Sequence, residues 1–343
     1  SLQELLAFHE KENNSVSIVS AIVENPSGYG HIIRDEKGNF LKNIEHKDAS
    51  EQQKQIKEIN TGIYCFKGSE LKKALSKLTN HNTQGEYYLP DTLEIILQSG
   101  GKVNALITTD ATAFFGVNSR VQLAEATAIM QNRINQKHME NGVTIIAPQS
   151  TWIDADVEIG QDTIIQPNTI IEGNTIIGED CMIGPNTKLT NMTIGNAVQI
   201  QYTSATSSSI GNSAIVGPFA YIRPDCHIGD GVKVGDFVEV KNSTVGNGTK
   251  IPHLTYIGDT DAGEKINFGC GSITVNYDGN KKHRTVVEDN VFVGCNTNLV
   301  APVTIKKGSY IAAGSTITKN VPENVLAVAR ARQQIIEGWS KKY

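Results

Sequence analysis

Residues 152–189 carry the repeat that decides the fold: WIDADVEIGQDTIIQPNTIIEGNTIIGEDCMIGPNTKL. An aliphatic residue returns at every sixth position, a longer period than that of an α-helix or a β-strand. Glycine often follows it directly, and a small residue often stands four places after it. The aliphatic residues of this first phase are Ile153, Ile159, Ile165, Ile171, Ile177, Ile183 and Leu189.

The period resumes toward the C-terminus, and such a hexapeptide repeat is typical of a parallel β-helix. Each hexapeptide supplies a short strand and a turn, so three of them close one triangular coil of about eighteen residues. The aliphatic residue and the residue two before it should face inward, because a strand alternates faces. A β-sandwich would need hairpin turns, which do not punctuate this repeat. The later aliphatic positions are Ile210, Val216, Ile222, Ile228, Val234, Val240, Val245, Ile251, Ile257, Val287, Val293, Leu299, Ile305, Ile311 and Ile317.

Composition limits the class of protein. The 343 residues suffice for two or three domains, and a net charge of −5 argues against nucleic acid as the main partner. The five cysteines form no CxxC pair, which indicates reduced thiols. No long apolar run or signal segment is present, so we expect a cytoplasmic protein with no membrane partner. The chain starts inside a helical pattern without Met, and we expect it to be a fragment.

The remaining sequence divides the chain. Residues 1–118 alternate strand and helix patterns, which predicts a layered, Rossmann-like α/β domain with a hairpin over 31–34 and 40–44. Residues 119–141 form one long helical pattern, interpreted as a linker, with a core helix of the first domain as the alternative. The β-helix should span 142–328, before a tail at 329–343. A polar stretch between 274 and 286 should leave the prism as an excursion.

Two cations share a predicted outward column. Arg223 and Lys241 each follow an inward residue and stand eighteen positions apart, which places them on neighbouring coils. Cations stacked so closely repel each other unless an anion lies between them, and a phosphate is the natural candidate. The alternative is that both side chains simply extend into solvent.

A histidine lies close to this column. His253 stands two positions after inward Ile251, with Tyr256 shortly after it. Histidine titrates near neutral pH, which suits a general base acting on an amine. The alternative is a structural or surface histidine. Zinc is disfavoured, because His227 and His253 do not share a column.

Small residues mark another outward column. Cys295 and Ala313 each stand two after an inward residue, eighteen positions apart. Such a column can leave a groove for a long ligand, although tolerance of any small residue at a turn explains it equally well. We do not expect Cys270 or Cys295 to be a catalytic nucleophile, since neither has a base within a few residues.

Several segments together resemble one enzyme family, the bifunctional N-acetylglucosamine-1-phosphate uridyltransferases / glucosamine-1-phosphate N-acetyltransferases. The resemblance covers essentially the whole chain. The segments are 28–30 (GYG), 45–49 (EHKDA), 58–64 (EINTGIY), 84–88 (QGEYY), 116–118 (GVN), 253–256 (HLTY), 276–279 (NYDG) and 299–303 (LVAPV).

The resemblance implies a left-handed parallel β-helix that assembles as a homotrimer, with acetyl-transfer sites shared between subunits. His253 would be the general base that frees the 2-amino group of glucosamine 1-phosphate to attack acetyl-CoA. The family often has Ser where Cys295 stands, which puts a hydroxyl role there in doubt. The implied sugar-phosphate residues are Arg223, Lys241, Tyr256, Asn267 and Lys282, with Asn276 also near the sugar, and the implied acetyl-CoA residues are Asn276, Tyr277, Cys295, Ala313 and Arg330.

For the first domain the resemblance implies uridylyl transfer from UTP to N-acetylglucosamine 1-phosphate, assisted by Mg²⁺. Gly30, Glu45, Asn60 and Asn118 match positions that bind UDP-N-acetylglucosamine, and Asn118 also matches a metal ligand. The family's glycine-rich loop, its uracil contacts and its metal-binding Asp precede the position that corresponds to Ser1. We therefore expect the polypeptide as given not to form UDP-N-acetylglucosamine.

Two other functions fit parts of the sequence. A sugar-nucleotide pyrophosphorylase could carry a β-helix that only assembles and regulates it. A trimerisation scaffold would need neither the excursion nor the basic residues of the tail. The set of Arg223, Lys241, His253 and Tyr256 favours an acetyltransferase over both.

Overall fold

The structure is a computed structural model that describes residues 2–114, 116–117 and 119–342. The chain forms two compact units, residues 1–129 and 130–343. Within the described residues, no helix combines the length and the apolar character needed to cross a membrane.

The first unit is built on a mixed five-stranded sheet. The strand Val16–Ile22 pairs parallel with Val103–Ile107 and antiparallel with Glu58–Phe66, which in turn pairs antiparallel with His31–Arg34. His31–Arg34 and Phe40–Ile44 also pair antiparallel, which confirms the predicted hairpin. Buried Val16, Ile18, Ile32, Leu93 and Ile96 belong to its core. The helices are α1 (Leu2–Lys11), α2 (Gly68–Leu75) and α3 (Asp91–Gln98), with 3-10 turns at Gln53–Gln55 and Ala111–Phe114, and the strands are β1 (Val16–Ile22), β2 (His31–Arg34), β3 (Phe40–Ile44), β4 (Glu58–Phe66) and β5 (Val103–Ile107).

A long helix, α4 (Arg120–Glu140), ends on the first coil of the second unit. Its contact with that coil is polar. The Gln131 amide donates hydrogen bonds to the carbonyl oxygens of Pro148 (3.1 Å) and Thr151 (2.5 Å), and the Asn135 amide donates to the same two oxygens at 2.9 and 3.1 Å. Ile134 packs against the apolar core beside them. The helix therefore closes this end of the prism by occupying backbone acceptors.

The second unit is a prism with three faces of parallel strands, as the hexapeptide period predicts. Face one contains Thr144–Ile145, Ile164–Ile165, Met182–Ile183, Gln199–Ile200, Ile215–Val216, Lys233–Asp236, Lys250–His253, Asn267–Phe268, Phe292–Val293, Tyr310–Ile311 and Leu326–Ala327. Face two contains Trp152–Ile153, Ile170–Glu172, Tyr221–Ile222, Glu239–Lys241, Tyr256–Gly258, Ile273–Val275, Asn298–Val300 and Thr316–Ile317. Face three contains Glu158–Ile159, Ile176–Ile177, His227–Ile228, Thr244–Val245, Thr260–Ala262, Thr285–Val287 and Val303–Ile305, while Lys188–Ile194 and Ser204–Ile210 bend across the edge between faces two and three. Short 3-10 turns lie at Pro148–Ser150 and Trp339–Lys342.

The interior of the prism confirms the predicted inward positions. The repeated aliphatic residues are buried, apart from the partly buried Ile159 near the first coil. The residues two before them are buried too, which follows from the alternation of faces along a strand. These smaller inward residues are Thr163, Thr169, Thr175, Cys181 and Thr187.

The length of a coil varies around the expected value of about eighteen residues. Ile222 pairs with Val240, a step of 18 residues, but Val240 pairs with Ile257, a step of 17. Leu189 pairs with Ala205, a step of 16. The coils differ in the length of the turns at the prism edges. The interior tolerates this, because it requires only that inward residues of successive coils stack on one another.

Close approach between coils explains the glycine that follows many inward residues. A Cβ atom on Gly211 would lie 2.4 Å from Oδ1 of Asp230 and 2.8 Å from the Asp230 nitrogen. That carboxylate already accepts a hydrogen bond of 2.6 Å from the Asn212 nitrogen. A column of Asn and Asp side chains therefore bonds to the preceding coil in the space that glycine leaves open.

The predicted excursion does leave the prism. One strand of face two ends at Val275, and the next strand of face three begins at Thr285. Between them Tyr277 and Lys282 form an antiparallel bridge around the turn at Asp278. The excursion therefore lies on the outer edge between faces two and three.

Candidate functional site

His253 lies at the edge between faces one and two, paired with a carboxylate. Its Nδ1 atom is 2.5 Å from Oδ1 of Asp236, the residue in register on the preceding coil. The hydrogen bond from His253 lowers the pKa of Asp236. An ionised carboxylate only accepts hydrogen bonds, so in the neutral imidazole Nδ1 carries the proton and Nε2 has the lone pair. The His253 side chain is 53% exposed, so this lone pair is available to a ligand.

Arg223 and Lys241 lie on neighbouring coils, as the sequence predicts. Both are at the edge between faces two and three. The Arg223 nitrogen donates to the Val240 carbonyl at 2.8 Å, which places the two cations side by side. Each has its own carboxylate: Glu239 lies 2.9 Å from Arg223, and Asp259 lies 3.4 Å from Lys241. The protein itself therefore supplies a carboxylate to each cation, and the phosphate between them stays a prediction.

Asp259 is the centre of a buried polar network. Its Oδ1 accepts a hydrogen bond of 2.5 Å from Asn242, and its Oδ2 accepts one of 2.5 Å from Asn276. Burial opposes ionisation, but these two amides together with Lys241 lower the pKa of Asp259. Asn276 also donates to the hydroxyl oxygen of Tyr256 at 3.2 Å. The network therefore fixes Lys241, Tyr256 and Asn276 relative to one another.

Lys282 adds a third cation from the excursion. Contact with Lys241 lowers the pKa of Lys282, and the charge of Arg223 acts in the same direction. The same contact, followed by the charge of Asp259, raises the pKa of Lys241. Arg284 anchors the excursion to Asp261 through a hydrogen bond of 2.7 Å. We call Arg223, Lys241 and Lys282 the cation cluster.

The remaining predicted residues of this unit lie elsewhere on its surface. Exposed Cys295 and Ala313 lie on neighbouring coils at the edge between faces one and two, since the Gly314 nitrogen donates to the Cys295 carbonyl at 2.8 Å. Arg330 is on the next coil, where a Cβ on Gly314 would lie 4.0 Å from its Cδ atom. This row shares its edge with His253, whereas the cation cluster lies at the other edge of face two. The other two residues are Asn267, which begins a strand of face one, and Tyr277, which is exposed on the excursion.

In the first unit, Gly30, Glu45 and Asn60 converge. A Cβ on Gly30 would lie 2.9 Å from Oε1 of Glu45, and the Gly30 carbonyl accepts a hydrogen bond of 2.8 Å from the Asn60 nitrogen. Asn60 also donates to Tyr64 at 2.7 Å. Burial, aided by the charge of Glu45, raises the pKa of Tyr64 to about 12. Asn118, predicted for both the nucleotide sugar and the metal, lies outside the described residues.

The same cluster holds an unpartnered acceptor. Asn43 donates to Glu45 at 3.1 Å, but its own Oδ1 atom is buried without a hydrogen-bond partner. Such an acceptor is unusual, because nearly all buried polar atoms have a hydrogen-bond partner. In the part of the chain that the structure describes, no group of three or more His, Cys, Asp or Glu could hold a metal ion.

Sequence reasoning missed four partners: Asp236, Glu239, Asn242 and Asp259. Asp236, Glu239 and Asp259 each contact a predicted residue on a neighbouring coil, and Asn242 contacts Asp259, all at separations of 16 to 18 residues. The available signal was a polar residue about one coil away. A fixed count of eighteen hides most of these pairs, because the coil length varies.

Comparisons with known proteins also divide the chain into two parts. Residues 1–155 match the nucleotidyl transferase family, and residues 156–191, 207–242 and 284–319 match the bacterial transferase hexapeptide family. Among solved structures, the UDP-N-acetylglucosamine acyltransferase of Francisella novicida has a TM-score of 0.39 at 20% identity, covering 54% of this chain and 67% of that chain. The two family matches define a transferase in which a nucleotidyltransferase domain precedes a hexapeptide β-helix.

Full-length relatives narrow this class. The chain is 57% identical over 339 residues to the bifunctional protein GlmU of Caldanaerobacter subterraneus subsp. tengcongensis, covering 99% of this chain and 74% of that protein. It is 54% identical over 342 residues to the bifunctional protein GlmU of Clostridium perfringens, covering 100% of this chain and 75% of that protein. The chain belongs to the family of bifunctional GlmU proteins.

Proposed function

We propose that the β-helix transfers an acetyl group from acetyl-CoA to the amino group of glucosamine 1-phosphate, giving N-acetylglucosamine 1-phosphate. The observation that carries this proposal is the pair of His253 and Asp236 at one edge of face two, with three clustered cations at its other edge. An amino sugar phosphate requires a base for its amine and cations for its phosphate.

In this reaction His253 acts as the general base. The amine nitrogen bonds to the thioester carbonyl carbon, and the carbon–sulfur bond breaks. One amine proton passes to Nε2 of His253 and is then available to the coenzyme A thiolate that leaves. Asp236 positions the ring and stabilises the imidazolium that forms, as a carboxylate partner of a catalytic histidine does.

The cation cluster binds the sugar phosphate. Arg223, Lys241 and Lys282 offer charge-assisted hydrogen bonds to phosphate oxygens. The carboxylates of Glu239 and Asp259 hold two of these cations in place before the substrate arrives. Because Lys282 lies on the excursion, phosphate binding also connects that segment to the prism. Tyr256, Asn267 and Asn276 are the proposed sugar contacts.

Acetyl-CoA binds along the edge that carries Cys295, Ala313 and Arg330, with Asn276 and Tyr277 contributed from the excursion. The row of Cys295, Ala313 and Arg330 and the excursion lie at opposite edges of face two. This separation supports an acetyl-transfer site that is completed by residues of a second subunit. An exposed apolar row next to His253 supports the same homotrimer: Phe219 and Phe237 stack with ring centroids 5.2 Å apart. Tyr202 and Leu254 extend the row, and all four are partly or mainly exposed in the single chain.

For the first unit we propose a part in uridylyl transfer from UTP, giving UDP-N-acetylglucosamine for cell-wall synthesis. Gly30, Glu45 and Asn60 would contact the nucleotide sugar, with the unpartnered Asn43 oxygen as a further acceptor. Asn118 would be one ligand of Mg²⁺, whose charge offsets that of the phosphates when it is bound. The free thiols of all five cysteines support a reducing, cytoplasmic location.

The test is release of coenzyme A thiol from acetyl-CoA in the presence of glucosamine 1-phosphate. We expect turnover by the chain, and a loss of about a hundredfold or more in His253→Ala. His227→Ala is the matched control, since His227 lies on face three and bonds to Ser209 at 2.9 Å. A folded chain without turnover, or an equal loss in both variants, would contradict the proposal.

A further inference from the structure

Cys270 and Cys295 occupy equivalent positions on neighbouring coils, at the edge that carries His253. Phe268 pairs with Val293, so the residues two further along are in register. The Asn296 nitrogen donates to the Cys270 carbonyl at 2.8 Å, which continues the register through the turn. Both residues begin the same type of turn at the prism edge.

The two coils approach each other closely at this point. A Cβ on Gly269 would lie 2.5 Å from the Cys295 nitrogen, so glycine is required directly before Cys270. Neighbouring strands lie about 4.8 Å apart. Disulfides join residues whose Cα atoms are about 4.4 to 6.8 Å apart. The spacing of neighbouring strands falls within this range, so the register makes Cys270 and Cys295 candidates for a disulfide.

The other cysteines are in different surroundings. Cys181 and Cys226 are buried in the prism, where the Cys181 thiol donates to the Gly195 carbonyl at 3.1 Å. Cys65 belongs to β4 in the first unit. Cys295 is exposed and Cys270 is partly exposed, so small oxidants can reach this pair. The register and the exposure together distinguish Cys270 and Cys295 from the remaining three.

We propose that Cys270 and Cys295 are a redox-active dithiol that oxidises to a disulfide and closes the acetyl-donor edge of the site. The oxidant is a small-molecule disulfide such as oxidised glutathione. The Cys270 thiolate attacks one sulfur and expels one glutathione thiolate; the Cys295 thiolate then attacks the Cys270 sulfur and expels the second. Two cysteine thiols are oxidised, one disulfide is reduced, and the two protons end on two glutathione molecules.

The consequence for catalysis rests on the proposed acetyl transfer. Cys295 lies in the row with Ala313 that is proposed to hold acetyl-CoA, and Cys270 lies between that row and His253. A disulfide there draws two coils together and removes a thiol from the donor groove. Acetyl transfer should therefore be active in the reduced protein and inhibited in the oxidised protein.

The test begins with the bond itself. The full chain is equilibrated in glutathione buffers from reducing to oxidising, alkylated at low pH and digested, and the peptides are identified by mass. We expect a peptide that joins Cys270 to Cys295 and the loss of two of the five thiols. Cys295→Ser should form no internal disulfide, and Cys65→Ser should behave as the unmodified chain. Glutathione adducts on both thiols, without the joined peptide, would overturn the proposal.

Activity is measured on the same samples. Oxidation should lower the rate of coenzyme A release at least tenfold, and dithiothreitol should restore it. A joined peptide with unchanged activity would overturn the inhibitory role. A joined peptide in a chain whose reduced form shows no acetyl transfer would refute the proposed function and leave the dithiol established.

Discussion

The Nδ1 atom of His253 lies 2.5 Å from Oδ1 of Asp236, which stands 17 residues earlier on the preceding coil. A coil of 18 residues would place Gly235 in that position instead. The pairing of histidine with carboxylate thus depends on a turn that is one residue shorter than the hexapeptide period requires. The local length of the coil selects the partner of the proposed base.

Asp236→Asn should impair the proposed base without weakening substrate binding. The amide no longer requires a proton on Nδ1 and cannot stabilise the imidazolium, so kcat should fall about ten- to a hundredfold. KM for glucosamine 1-phosphate should change little, which steady-state kinetics with both substrates will show. Asp225→Asn, at an exposed turn of the same unit, is the control. A rise in KM alone would assign Asp236 to substrate binding.

Lys282→Met should weaken binding of the sugar phosphate. Loss of one cation from the cluster should raise KM for glucosamine 1-phosphate about tenfold. KM for acetyl-CoA should stay unchanged. Lys281→Met, which alters the neighbouring lysine of the same excursion, should have little effect. Equal changes in both variants would show that the excursion needs net charge rather than a particular contact.

Asp259→Asn should destabilise the prism in a pH-dependent way. The pKa of Asp259 is lowered in the folded state, so its ionised form stabilises the fold above the ordinary carboxyl pKa. That contribution is lost as the pH falls through the lowered pKa. At neutral pH we expect a loss of about 3 kcal/mol, since the partly buried Lys241 loses its partner.

Urea denaturation of this variant from neutral to strongly acidic pH provides the check. The difference from the unmodified chain should shrink toward the acid end. Glu239→Gln is the matched control, because the solvent-exposed pair with Arg223 should contribute little to stability. A difference that is independent of pH would mean that the hydrogen bonds, not the charge, carry the effect.

Gly211→Ala should destabilise the prism by about 1 to 3 kcal/mol, because the new methyl group meets the backbone of the next coil. Gly68→Ala is the control, since a Cβ there meets nothing within 4 Å. Thermal unfolding followed by circular dichroism compares the two variants. An unchanged transition in Gly211→Ala would show that the coils can separate at little cost.

The interior of the β-helix was predictable because its determinants are local and repeated. Ile165 and Thr163 face inward for the same reason as every equivalent pair, namely strand alternation within a six-residue unit. The excursion was predictable too, since the stretch around Asp278 lacks inward aliphatic residues. In the first unit the hairpin of β2 and β3 follows from two short strand patterns around a turn.

The partners of the site residues were not predictable, because they depend on the cumulative length of the turns. One residue removed at an edge brings a different side chain opposite His253 or Lys241 on the next coil. The polar face of α4 was missed for a similar reason. The apolar positions of the helical pattern do not identify its contacts: Val121 and Leu123 are exposed, and the hydrogen bonds to the first coil come from Gln131 and Asn135.

The amides of Gln131 and Asn135 also determine where the stack of coils stops. A β-helix ends in a rim of unpaired backbone groups, the same template that lets β-structures grow into fibrils. Two acceptors on that rim, the carbonyl oxygens of Pro148 and Thr151, are already occupied by α4. The helix thus caps this end of the prism and prevents a second prism from stacking on it end to end.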